Sequence, residues 1–347
     1  MTVAYVIEQG ALIVKEGERI LIKKDKSILH TLHTFKLEQI VIFGNVFITP
    51  SAISYLLKLG IDTVFMSKNG RYKGRLQGPY SKNISLRQKQ FEKFADPKFC
   101  FNTAISIVKG KIINMRALLL RVNRTKKKAS LEEHILQLKQ LKARIEDAKN
   151  IEEIRGIEGK ASAIYFDGFS KGFASETITF TKRVRRPPTD PVNAILSLGY
   201  TFLFNELLGA VSMIGLDPYL GALHAVEYGR ASLPLDLMEE WRPVIIDPLV
   251  LSIFNLKILG KDDFITFKEA IKNSDELTDE LSDMPVRLTN DGMRKFIAQF
   301  ERKMGQKIRH HLTGTHLNYR DCIREQIRHF SRYLRGDDPE YKPIPFK

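Results

Sequence analysis

Apolar and polar residues alternate along roughly the first seventy positions, then switch to a repeat of three and four that holds almost to the C-terminus. Val3, Tyr5 and Ile7 alternate with their neighbours, and ALIVKEGERILIKK carries two β-rich runs around EGER, which predicts a hairpin. QIVIFG reads as another strand. TPSAISYLLKLG opens on Thr49-Pro50 and closes on Gly60, the start and stop signals of a short helix. IDTVFMSKNGRYKGRL offers two strands joined at Asn69-Gly70. These pieces predict a small β-rich domain over residues 1–75, suited to a scaffold or dimerisation role, and a linker over 76–95.

From about Ser85 the periodicity is helical. A long amphipathic helix begins near Asp96-Pro97 and gathers Lys109, Lys111, Arg116, Arg121 and Arg124 before the Lys126–Lys128 run. SLEEHILQLKQLKARIEDAK alternates charge sign on an exposed face, and NIEEIRGIEGKASAIYFDGF forms a third helix. FTKRVRRPPTDP breaks the pattern at Pro187-Pro188, and Asp190-Pro191 caps the next helix. Further helices are expected in DPLVLSIFNLKIL, LTNDGMRKFIAQFERKMGQKI and YRDCIREQIRHFSRYLRG. The stretch 96–335 thus reads as an α-helical domain, and 336–347, rich in proline and charge, as a loose tail. The fold class is α+β multidomain: a small N-terminal β-rich domain followed by a large α-helical catalytic domain.

Composition narrows the partners. Across 347 residues, 55 Lys+Arg against 40 Asp+Glu leave a formal charge of +15, which favours a polyanion such as DNA, although a solvated basic surface has the same composition. Two cysteines, Cys100 and Cys322, exclude a disulfide framework or thiolate zinc site and fit a reducing cytoplasm. No signal peptide is expected from MTVAYVIEQGALIV. The run Ile195 to Leu216 is long enough to span a bilayer, but Asn205 and Glu206 at its centre favour a buried helix and no membrane partner.

The chemistry concentrates in GALHAVEYGRASLPLDLMEEWRP, residues 221–243. His224 precedes a helical segment in which Asp236 and Glu239 stand three apart, on one face, among Leu235, Leu237, Met238 and Trp241. Glu158 occupies a similarly apolar stretch. One histidine with two or three carboxylates suits a hard cation, Mg²⁺ or Mn²⁺; the same acids could instead pair structurally with Arg242. Lys182, Arg183, Arg185 and Arg186 read as a phosphate-binding run or a solvated linker. Tyr165, seven residues from Glu158, reads as a DNA contact or a packing residue. His310, His311 and His316 have no carboxylate between them and read as a basic exposed loop. Arg324, Arg328 and Arg332 form a stripe that tracks phosphates or simply faces solvent.

EGKASAIYF at Glu158, RRPPTDPVNAILSLGY, GALH at His224 and LPLDLMEEWRP, taken in that order, resemble the CRISPR-associated integrase family of spacer acquisition, the first-numbered Cas protein. The resemblance covers most of the chain. It implies Glu158, His224 and Glu239 as catalytic metal ligands, with Asp236 as an acidic position beside them, and Mg²⁺ or Mn²⁺ as cofactor. It further implies a homodimer that joins the small second-numbered Cas protein and inserts short foreign DNA segments into a CRISPR array. The competing reading is a non-catalytic nucleic-acid scaffold whose acids are structural; a metal hydrolase of small phosphoesters is a weaker third.

Overall fold

The computed structural model describes residues 2–78, 83–125, 130–174, 180–184, 188–225, 227–266 and 286–346. The chain separates into two compact units, Met1–Tyr80 and Ser81–Lys347.

The first unit holds two four-stranded sheets. β1 (Thr2–Val6), β5 (Leu37–Phe43), β7 (Asp62–Met66) and β8 (Tyr72–Leu76) form one, in that order, with β1–β5 and β5–β7 parallel and β7–β8 antiparallel. β4 (Ser27–His33), β3 (Arg19–Lys24), β2 (Leu12–Glu16) and β6 (Phe47–Ile48) form the other. The β2–β3 and β7–β8 hairpins lie where the turn residues place them, with Gly17 and Gly70 at positive φ. Helix α1 (Pro50–Leu59) starts on Thr49, whose hydroxyl accepts from the Ala52 amide, and stops at left-handed Gly60. Alternating inward residues, Val6, Ile13, Ile20, Ile22, Ile40 and Ile42, meet Ala52 and Leu56 of α1 in one core.

The second unit is helical. Its long members are α3 (Pro97–Thr125), α4 (Glu132–Arg144), α5 (Ile151–Ser170) and α6 (Pro191–Ile214). The short α7 (Ser232–Met238) leads through a turn and a π-helical segment, Arg242–Ile246, into α8 (Asp247–Asn255). Two strands, β9 (Phe264–Thr266) and β10 (Val286–Leu288), pair before α9 (Asn290–Met304); a second pair, β11 (Lys307–Arg309) and β12 (His316–Asn318), precedes α10 (Tyr319–Arg335). Helix α6 is long and apolar enough to cross a membrane but is mostly buried in the protein. Its central Glu206 is held by Arg320, Nη2 at 2.7 Å, and the same guanidinium reaches Glu301 at 2.8 Å. A charge inside an apolar helix is tolerated here because α10 brings its counter-ion.

Two expectations about the boundaries fail. Within the stretch expected as a linker, residues 84–94 form helix α2 (Ile84–Phe94), which packs on α3 and α10; Leu86 and Gln90 are buried, and Gln90 exchanges hydrogen bonds with the Asp217 backbone. The tail expected to be loose is anchored: Tyr341 and Ile344 are buried, and Phe346 N–H donates to Asn114. Pro343 packs so tightly on α3 that a Cβ at Gly110 would lie 2.3 Å from its Cβ. Two apolar residues spaced among prolines are enough to dock a strap that charge and proline content made look solvated.

Candidate active site

Helices α3, α5 and the α7 turn converge on a single ammonium. Lys111 of α3 is buried, and its Nζ contacts Glu158 Oε1 of α5 while standing 2.5 Å from Glu239 Oε2. Glu158 is partly buried and also accepts from Ser162 Oγ at 2.8 Å, one turn further along its own helix. Glu239 is buried; its Oε1 lies 3.2 Å from Arg242 Nη2, and its Oε2 meets Lys111 outside hydrogen-bonding geometry. Burial opposes the charge on both carboxyls. In Glu158 the attraction of Lys111 outweighs it, even against repulsion from Glu239, and the pKa is lowered. In Glu239 burial is overcome by Arg242, Lys111 and His224 together, which bring the pKa down to about 2.

Asp236 is placed differently from what its spacing to Glu239 predicts. It is fully buried and forms no ion pair with Lys111, accepting instead from the backbone amides of Ala222, Leu223 and His224 at 2.6, 2.9 and 2.9 Å. Its Oδ1 also lies 2.6 Å from His224 Nδ1. With both oxygens taken by these amides and the ring nitrogen, Asp236 is an orienting group for the imidazole. Helix α7 ends at Met238, and Glu239 caps it with helical dihedrals, its N–H donating to Asp236 O. The 221–224 turn reaches Asp236 because Gly221 has no side chain; a Cβ there would lie 2.5 Å from Ser232 Cβ. From α5, Arg155 Nε donates to Leu223 O at 2.6 Å and ties the turn to the helix of Glu158.

Behind the carboxylates lies a second buried group. Asp247, at the head of α8, accepts from Tyr165 Oη at 2.5 Å and Tyr200 Oη at 2.6 Å. Burial raises its pKa to about 6, with both phenols and Arg242 pulling in the other direction. Arg242 lies over the Tyr200 ring, 4.7 Å from its centroid. The π-helical segment sets this arrangement: Asp247 N–H donates to Arg242 O, five residues back, placing both side chains on the site. Tyr165 is therefore a fully buried packing and hydrogen-bonding residue, and the DNA-contact reading fails.

The basic candidates divide. Arg183 is committed to the fold: its Nη1 donates to Val184 O and Asn193 Oδ1 and its Nη2 to Ser197 Oγ. Lys182 is exposed, and Arg185 and Arg186 lie outside the described residues. Arg324, Arg328 and Arg332 each meet an acid, Asp321, Glu325, and Glu325 with Asp338 respectively, so the stripe is largely neutralised. His310 is buried, against the exposed-loop expectation, and its Nδ1 faces the Thr313 amide and hydroxyl; His316 is exposed.

Residues 4–302 match the family described as CRISPR associated protein Cas1. The chain belongs to the Cas1 family. It is 35% identical over 344 residues to CRISPR-associated endonuclease Cas1 3 of Thermus thermophilus, covering 99% of this chain and 96% of that one. Among solved structures it is similar to a casposase bound to integration product (TM-score 0.84, 22% identity, 99% of this chain and 93% of that one). It is similar too to a Cas6-RT-Cas1–Cas2 complex (TM-score 0.82, 24% identity, 99% of this chain and 36% of that one). These two likenesses show that the Cas1 fold is shared over the whole chain.

Two features of this Cas1 site escaped the sequence. Lys111 looked like one more member of a basic helix face, yet it interrupts the buried run Ile107, Val108, Ile112 and Met115; a lysine at an inward position was the available signal. Asp247 begins its helix, and nothing in the sequence singled it out. Among the described residues, no three His, Cys, Asp or Glu side chains stand in position to hold a metal ion together. The donor types nevertheless fit a hard divalent cation: two carboxylates, from α5 and the end of α7, already converge on one positive charge, Glu239 Oε2 lacks a hydrogen bond, and the His224 imidazole, oriented by Asp236, is near enough to Glu239 to help lower its pKa.

Proposed function

We propose that this chain is a divalent-metal-dependent DNA endonuclease and integrase that inserts short DNA segments into a CRISPR array by attack of a 3′-hydroxyl on a phosphodiester. The observation that supports it is the convergence of Glu158 and Glu239 on one buried cation. Those carboxylates, with His224, would hold Mg²⁺ or Mn²⁺, whose chemistry is Lewis-acid polarisation of the phosphodiester and activation of the attacking hydroxyl. The residues around them set orientation. His224 Nδ1–H would donate to Asp236 Oδ1, which leaves Nε2 as the ring nitrogen that faces the metal. Arg242, fixed on Tyr200, keeps Glu239 ionised and in place. No side chain here is needed as a covalent nucleophile; with water in place of the 3′-hydroxyl, the same arrangement cleaves DNA.

Partners follow the same reading. The formal charge of +15 favours DNA. The β4 strand lies at a sheet edge with Ile28 and Leu29 exposed, which supports a homodimer formed through the first unit. A Cas2-type partner is supported by the Cas1–Cas2 complex among the structural neighbours, and a cytoplasmic location by that DNA substrate.

The test is incubation with branched, half-integrated DNA, with and without Mn²⁺, for wild type, Glu158→Gln and His224→Ala. Strand transfer that needs Mn²⁺ and vanishes in both variants, with salt-sensitive DNA binding retained, is the expected result. Metal-independent binding with no turnover in any protein would favour the non-catalytic scaffold.

A further inference from the structure

Glu239 is flanked by two cations that are held in different ways. Arg242 is stacked: its guanidinium lies on the Tyr200 ring, which is itself bonded to Asp247. Lys111 is buried, yet among the described residues its ammonium has two partners, Glu158 and Glu239, and no third group to keep it in place. An ammonium carries three donors on a flexible four-carbon stem, whereas a stacked guanidinium is rigid.

The oxygens that face Lys111, Glu158 Oε1 and Glu239 Oε2, belong to two carboxylates that repel each other, one partly buried and the other buried. Such a pair requires a positive charge between its members. A divalent ion bound by both carboxylates would need the same oxygens, and it would repel an ammonium left beside it. The two cations therefore exclude each other.

We propose that Lys111 is a built-in counter-ion that competes with the divalent metal for Glu158 and Glu239, leaving the carboxylates when metal binds and returning when it departs. The inference rests on the metal-dependent reading above and assigns Lys111 a positioning role within it. Held this way, the metal-free site stays folded and its carboxylates stay apart, at the expense of metal affinity.

The experiment measures Mn²⁺ binding by the electron paramagnetic resonance signal of free Mn²⁺, together with thermal unfolding with and without Mn²⁺. It uses wild type, Lys111→Gln, Lys111→Arg and Lys109→Gln. Lys111→Gln should bind Mn²⁺ on the order of tenfold more tightly than wild type, because one opposing charge is gone. It should melt lower than wild type without metal and gain more from Mn²⁺. Lys109→Gln, whose partner Glu146 is exposed, should change affinity by less than about twofold. Lys111→Arg keeps the charge and should bind no more tightly than wild type, which preserves the test should the neutral variant fail to fold. Wild type that binds Mn²⁺, beside a Lys111→Gln that binds equally or more weakly, overturns the competition and leaves the proposed function intact. A tighter Lys111→Arg overturns it as well. Wild type that binds no Mn²⁺ removes the metal-dependent reading and this inference with it.

Discussion

Glu239 and Glu240 are neighbours in the chain and both are buried, yet the two pockets they enter treat charge in opposite ways. Glu239 enters a pocket that holds the cations Arg242 and Lys111, and is ionised with its pKa near the bottom of the carboxyl range, about 2. Glu240 turns toward the C-terminal strap, where Tyr341 Oη at 2.5 Å, Ile344 N at 2.5 Å and Gln326 Nε2 at 3.5 Å are its partners. All three are neutral, so burial dominates and pushes the carboxyl up to about 8. Burial alone does not make an acid reactive or inert. What matters is whether the fold delivers a counter-charge, and here one peptide bond separates the two outcomes.

The comparison breaks first on activity. Glu239→Gln should abolish metal-dependent strand transfer on half-integrated DNA, whereas Glu240→Gln should retain it, a difference read directly from product gels. Equal loss in both would mean that the strap pocket belongs to the chemistry. Asp236→Asn comes next: it cannot accept from His224 Nδ1 and three amides in the same way, and Mn²⁺ affinity should fall by about 10–100-fold with the fold kept.

Stability against pH sharpens the same contrast. Glu239, lowered from 4.5 to about 2, contributes stability at neutral pH that disappears as pH falls through that interval. Glu240, raised from 4.5 to about 8, binds its proton more tightly folded than unfolded, so its contribution declines as pH rises from 4.5 to 8 and levels off above. Urea unfolding across that window should show a slope in wild type that flattens in Glu240→Gln. The smallest effect belongs to Tyr165→Phe. Losing the hydroxyl that donates to Asp247 should cost about 1–2 kcal/mol of stability and leave DNA affinity unchanged in a binding titration. A clear drop in DNA affinity would return Tyr165 to the interface.

The hairpins around EGER and Asn69-Gly70, α1 between Thr49 and Gly60, and the capped start of α6 at Asp190 were legible because each is specified by residues within a few positions of one another. The same holds for the order of β-rich and helical regions. Helix α2 and the strap at Tyr341 were not legible, since their stability comes from distant partners such as Asp217 and Asn114.

Within the site, spacing along the chain made Asp236 and Glu239 look like a pair aimed at one object, but Asp236 is taken up by the 222–224 amides and His224 while Glu239 meets Lys111 and Arg242. Local sequence determined which segments form strands and helices and which of them carry acids. Where each acid points, whether it is charged, and that Lys111 stands between two of them were settled by long-range packing. A side chain's electric environment is made of groups brought together from α3, α5 and the turn after α7, and interactions of that kind leave no periodic trace in the order of residues.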